Sequence, residues 1–94
     1  MEKAHLIVTI DWYEYDSSTG VINVDIRVRN DGEKDIAYFE IYYRVSYSSS
    51  AHDDCAYGSN LKVGQSRTHS VITNIGKGER VTNLSVTDVE WKVY

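Results

Sequence analysis

From Leu6 the chain alternates, with Leu6, Val8, Ile10 and Trp12 interleaved by Ile7, Thr9, Asp11 and Tyr13. A period of two sends successive side chains to opposite faces, so the pattern predicts a strand to about Tyr15 with the even positions on the core. Asp16-Ser17-Ser18-Thr19-Gly20 are turn formers, and after them Ile22, Val24, Ile26 and Val28 alternate with Asn23, Asp25, Arg27 and Arg29. Apolar on one parity and charged on the other is the mark of an antiparallel sheet buried on one face. Asn30 to Asp35 turns the chain again. Ala37, Phe39, Ile41, Tyr43 and Val45 are then expected inside, and Tyr38, Glu40, Tyr42 and Arg44 outside.

Ser48 to Asn60 is Ser-rich and lacks apolar periodicity, so it reads as an excursion with at most a short edge strand near Ala56 and Tyr57. A strand from about Ser66 to Thr73 follows, in which His69 and Val71 share one face and Ile72 takes the other. Asn74 to Glu79 is a Gly-containing loop. From Val81 to Tyr94 the pattern gives one or two strands, because Leu84 and Val86 share one parity and Val89, Trp91 and Val93 the other. One extra residue near Thr87-Asp88 reconciles them, since a bulge swaps the faces. Trp12 and Trp91 both fall on inward parities and are expected in the core.

The reading is therefore all-β: a single domain over residues 1-94, an antiparallel immunoglobulin-like or fibronectin-III-like β-sandwich of six to seven strands. Composition agrees. Val, Ile and Thr make 25 residues and aromatics 11, against 3 Leu and 4 Ala, the usage of pleated half-buried surfaces rather than helices. An odd strand count would set the termini at opposite ends, which suits a bead in a tandem array excised from a larger protein.

The segment Val21 to Tyr47, followed by Leu61-Lys62-Val63-Gly64-Gln65, resembles the FxLYD-type immunoglobulin-like domains and, more distantly, the CARDB modules of bacterial and archaeal surface proteins. The likeness rests on Asn30-Asp31-Gly32 with Asp35-Ile36 after it, on Tyr38-Phe39-Glu40-Ile41, and on Leu61-Lys62-Val63-Gly64-Gln65. Tyr43-Arg44-Val45-Ser46-Tyr47 stands where the signature would lie, and Val63 where the family has proline. The resemblance implies an accessory module, a spacer or binding domain of an exported or cell-surface protein, with an extracytoplasmic home and no shared catalytic site.

Charge and length narrow the function. A net charge of -4 on 94 residues disfavours sequence-independent nucleic-acid binding, which runs on Lys and Arg neutralising phosphates. A core this thin leaves little depth for an enclosed pocket, so no enzyme and no cofactor is expected. Cys55 is the sole cysteine, which excludes a disulfide-dependent scaffold. No apolar run approaches a membrane span, and Met1-Glu2-Lys3-Ala4-His5 leads into strand pattern without the apolar stretch of a signal peptide.

The chemical candidates are few. His52-Asp53-Asp54-Cys55 collects zinc-ligand types, but neighbours in an extended segment point to opposite sides, so no metal is expected there. Asp31, Glu33 and Asp35 are oxygen-rich enough to consider calcium, though turn residues of this kind ordinarily cap their own backbone. The feature most suggestive of binding is a set of tyrosines on outward parities, Tyr38 and Tyr42 with Tyr13 and Tyr15. Such a face fits a protein partner or a neighbouring domain, and a carbohydrate as the alternative. A third reading is a small β-sandwich proteinase inhibitor acting through Ser48 to Gly58. The isolated domain is expected to be a monomer, with Ala56-Tyr57 and the final strand as the edges at which a neighbour can pair.

Overall fold

The structure is a computed structural model that describes residues 5-94, so the expectation placed on Met1 to Ala4 lies outside the described residues. It contains six strands: β1 (Leu6–Asp16), β2 (Val21–Asn30), β3 (Ile36–Tyr47), β4 (Ala51–Leu61), β5 (Ser66–Asn74) and β6 (Val81–Val93). They form two antiparallel three-stranded sheets, β1-β2-β5 and β4-β3-β6, packed as a β-sandwich. The central strands carry the core. Ile22, Val24, Ile26 and Val28 of β2 meet Ile36, Phe39, Ile41, Tyr43 and Val45 of β3, all without solvent exposure. The alternation in these two strands was legible from the sequence, with one adjustment. Register shifts around Ala37, which is only half-buried, and Ile36 takes the buried position instead.

β1 departs from the expected faces. Its pairing with β2 skips Asp11, so Ile10 lies opposite Ile26 but Trp12 lies opposite Asp25. That one-residue bulge reverses every later parity. Trp12 is thereby turned outward and is 50% exposed, not core. Tyr13 and Tyr15 move to the inner side, opposite Val24 and Ile22. The expected bulge in β6 is present, because Asp88 pairs with Tyr42 and Val86 with Tyr43, leaving Thr87 unpaired. Trp91 accordingly packs against the core, opposite Phe39.

The largest correction is β4. The stretch expected to wander is an eleven-residue strand, paired with β3 from Ala51↔Ser46 to Leu61↔Ile36. Its inward positions include His52, Asp54 and Gly58, so apolar alternation is missing although the backbone alternates. Gly58 lies opposite Phe39, where an added Cβ would come within 2.7 Å of the ring and 3.0 Å of His69. Absence of a side chain lets the phenyl approach the strand backbone closely.

Polar groups close the β4/β5 side of the sandwich. The Arg67 guanidinium donates to the Ser59 and Asn60 carbonyls at 2.7 and 3.0 Å. The Thr73 hydroxyl donates to Asp54 Oδ2 at 2.8 Å and lies 3.3 Å from the Tyr43 hydroxyl. His69 sits edge-on to Phe39 at 5.5 Å, with Nε2 buried and without a protein partner.

Both ends are clasped by loops. At one, Asn30 is fully buried and its Nδ2 donates to the Lys34 and Leu61 carbonyls at 2.7 and 3.1 Å, while its Oδ1 accepts from Gly32 N at 3.0 Å. The Asn30 backbone also exchanges bonds with Gly64 and Gln65, and Asp35 Oδ1 accepts from Val63 N. At the other end the Tyr15 hydroxyl donates to the Gly76 carbonyl at 2.7 Å, and Ile75 N donates to the Gly20 carbonyl. Gly20 has φ +80°, and a Cβ there would fall 2.5 Å from the Gly76 backbone carbon. Six strands also return the chain to its starting end. The His5 ring stands edge-on to Trp91 at 6.3 Å, so the expected bead-like separation of the ends does not hold.

Two predictions follow from this packing. Asn30→Ala strands two carbonyls and one amide in a buried site and should destabilise the domain by about 2-4 kcal/mol in urea denaturation; a loss under about 0.5 kcal/mol would show that water replaces the amide at no cost. Burial first, and the Arg67 charge second, hold His69 below its ordinary pKa. The unfolded chain therefore binds this proton more readily. His69 contributes stability above the unfolded value of 6.5, and the contribution is lost as pH falls below it. His69→Leu should flatten that part of the stability-pH curve, measured by denaturation at several pH values.

Candidate functional site

The outer face of the β4-β3-β6 sheet carries the most chemistry. From β3 it presents Tyr38, Glu40, Tyr42 and Arg44. From β4 it presents Asp53, Cys55 and Tyr57, opposite Arg44, Tyr42 and Glu40. From β6 come Asp88, Glu90 and Lys92, opposite Tyr42, Glu40 and Tyr38. Cross-strand neighbours on one face lie close enough to interact, so these rows form one surface.

Glu40 organises its centre. Tyr38 donates to Glu40 Oε1 at 2.8 Å, and Tyr42 donates to Oε2 in a very short bond. One carboxylate thus spans two phenols that sit two positions to either side along the strand, and both rings lean toward it over the sheet. The donated bonds, that from Tyr42 first, hold Glu40 below the usual carboxylate range, with Lys92 adding to the effect. The same bond favours the neutral phenol, and Tyr42 is pushed up to about 12. Tyr38 is also raised, again first by Glu40. Beside this ladder, Arg44 makes a two-pronged pair with Asp53 at 2.7 and 3.1 Å, which holds Asp53 below its ordinary value.

Two shallow depressions flank the ladder. One, of about 520 Å³, is bordered by Tyr42, Arg44, Asp53, Cys55 and Asp88. The other, of about 270 Å³, is bordered by Tyr38, Glu40, Glu90 and Lys92. Neither is an enclosed cavity.

Of the four tyrosines expected on an outer face, Tyr38 and Tyr42 come together there and Tyr13 and Tyr15 do not. Tyr15 is half-buried and spends its hydroxyl on Gly76, while Tyr13 stays exposed at the rim between β1 and β6. The bulge at Asp11 takes both off the outward parity, and β1 lies in the other sheet, so neither belongs to this face. Tyr57, 65% exposed, and Cys55 join the face because β4 is a full strand. The sequence signal available for them was the short edge strand expected near Ala56 and Tyr57, which becomes a full partner of β3.

His52-Asp53-Asp54-Cys55 lies on β4 with its members on alternating sides. Asp54 turns inward to Thr73, whereas Asp53 and Cys55 turn outward. Among the described residues no group of three or more His, Cys, Asp or Glu side chains is placed to hold a metal ion. In the Asp31 to Asp35 turn, Asp35 is engaged by the Val63 amide and Asp31 lies 3.9 Å from His5. Ser48 to Gly58 is a tight turn and strand rather than a free loop, and the Ser48 and Ser49 hydroxyls both donate to Glu79 at 2.7 Å. No helix among the described residues is long and apolar enough to cross a membrane. Comparison of the chain with protein-family models, with curated proteins and with solved structures finds no match in any of the three.

The phenol-carboxylate ladder has a spectroscopic consequence. In Glu40→Gln the anionic acceptor is gone, so the Tyr42 pKa should fall from about 12 toward the ordinary 10. Tyr42→Phe should raise Glu40 toward 4.5. Side-chain NMR titration reads both, and unchanged values in the two variants would refute the ladder.

Proposed function

We propose that the domain is a non-catalytic accessory module that binds a protein partner through the outer face of the β4-β3-β6 sheet. The observation that carries this reading is the outward row of exposed Tyr38 and Tyr57 with half-buried Tyr42 between them, set among Glu40, Asp88 and Glu90. Tyrosines held by hydrogen bonds present rigid contact area at small entropic cost. The carboxylates outnumber Lys92, since Arg44 is engaged by Asp53, so the surface favours a segment rich in Lys or Arg. Strand order supports the finer fold reading as well. A second strand flanked by the first and fifth, facing a third flanked by the fourth and sixth, is in keeping with an immunoglobulin-like sandwich of the fibronectin-III kind. The resemblance to FxLYD-type and CARDB modules is in keeping with such a role, and with an exported or cell-surface setting.

The carbohydrate reading has less support. Sugar platforms need aromatic rings standing open and coplanar, whereas Tyr38 and Tyr42 lean toward a shared carboxylate that occupies both hydroxyls. The inhibitor reading loses its exposed loop to β4.

The test places the wild-type domain and a Tyr38→Ala/Tyr42→Ala variant side by side against a displayed peptide library and an oligosaccharide array. Basic peptides retained by the wild type and lost by the variant are the expected result. Peptides retained equally by both would sink the assignment, and sugar binding lost in the variant would transfer the face to the carbohydrate reading.

A further inference from the structure

The four edge strands of the sandwich are not equally protected. β1 is broken by the bulge at Asp11. β4 and β5 face each other across polar inward groups: His52 and Asp54 on one, Arg67, His69 and Thr73 on the other. Inward polar groups and bulges are the devices by which sheets deter a further strand. β6 is different. Its inward row, Val81, Leu84, Val86, Val89, Trp91 and Val93, is wholly apolar. None of the six is fully buried, although their partners Ile36, Phe39, Ile41, Tyr43 and Val45 on β3 are. Among the described residues no strand pairs with the far edge of this thirteen-residue strand, although one amide of the segment, Val89 N, donates to the Asp88 carboxylate at 2.9 Å.

The bulge at Thr87 limits which part of that edge can pair. It reverses the faces, so antiparallel self-pairing across the whole strand would set inward residues against outward ones. The segment Asp88 to Val93 is free of this conflict, and its outward row reads Asp88, Glu90, Lys92. A two-fold axis at Trp91 sets Glu90 opposite Lys92 of a second copy, twice, and Val89 opposite Val93, twice. Moving the axis to Glu90 keeps two opposite-charge pairs, Asp88 with Lys92, but sets Glu90 against Glu90 between them, and moving it to Lys92 sets Lys92 against Lys92. A half-step sets apolar residues against charged ones. Among these, the Trp91 register pairs opposite charges with no like pair.

We propose that β6 is a homodimerisation edge, at which two copies pair antiparallel about Trp91 and join their β4-β3-β6 sheets into one six-stranded sheet. This departs from the monomer expected of the isolated domain, and it uses the edge of the sheet, leaving the tyrosine face open. The short paired segment makes the dimer weak and dependent on concentration.

Sedimentation equilibrium from about 10 µM to about 1 mM tests it, with Glu90→Lys, Lys92→Glu and the double exchange alongside the wild type. Each single exchange creates like-charge pairs and should weaken the dimer about tenfold, and the double exchange, which restores opposite charges, should recover it. Circular dichroism confirms that all four chains are folded. A wild type that stays monomeric to about 1 mM overturns the proposal. So does a dimer whose strength ignores the single exchanges, since that dimer would form through another surface.

Discussion

The two sheets depend on one buried amide. Asn30 closes β2, and its side chain reaches the turn that leads into β3 and the last carbonyl of β4. Three backbone groups that no strand can pair are satisfied by one residue, and its own backbone holds the turn before β5. The crossing from one sheet to the other is thereby fixed at the point where register could otherwise slip. The β2-β3 and β4-β5 connections are hydrogen-bonded to each other here, and Asp35 with Val63 completes the joint. Asn30 to Asp35 and Leu61 to Gln65 thus meet in one clasp, which gives their turn residues a structural reason for their spacing.

What the sequence disclosed follows the same physics. β2 and β3 were readable because central strands bury one face completely, and complete burial demands apolar residues at every second position. β6 was readable down to its bulge, because apolar residues on both sides of Thr87 recorded the change of face. β1 was legible only to Ile10, since Trp12, Tyr13 and Tyr15 are amphipathic and tolerate either side, and Glu14 alone, charged on the parity expected inside, recorded the change of face at Asp11. β4 was invisible. Its inward positions carry His52, Asp54 and Gly58, chosen by contact with Thr73, Phe39 and His69 from distant parts of the chain. Half of the candidate face was consequently legible: Tyr38 and Tyr42 from β3, but not Tyr57 and Cys55 across from it.

The outer face shows how a small domain without a cavity can still present organised chemistry. Glu40 lies directly opposite Glu90, a like-charge pairing that opposes sheet formation. Two phenol donors and the nearby Lys92 offset that repulsion. The tyrosines are held in place by the carboxylate they solvate, so shape and charge of this surface are set together.

The even number of strands has a mechanical consequence. β1 begins and β6 ends at the same end of the sandwich, where His5 meets Trp91. Tension applied between those two points acts across the strands rather than along them. β1 would peel from β2, and β6 from β3, one hydrogen bond at a time, instead of all bonds resisting together in shear. Such a sandwich yields to small forces however well its core is packed.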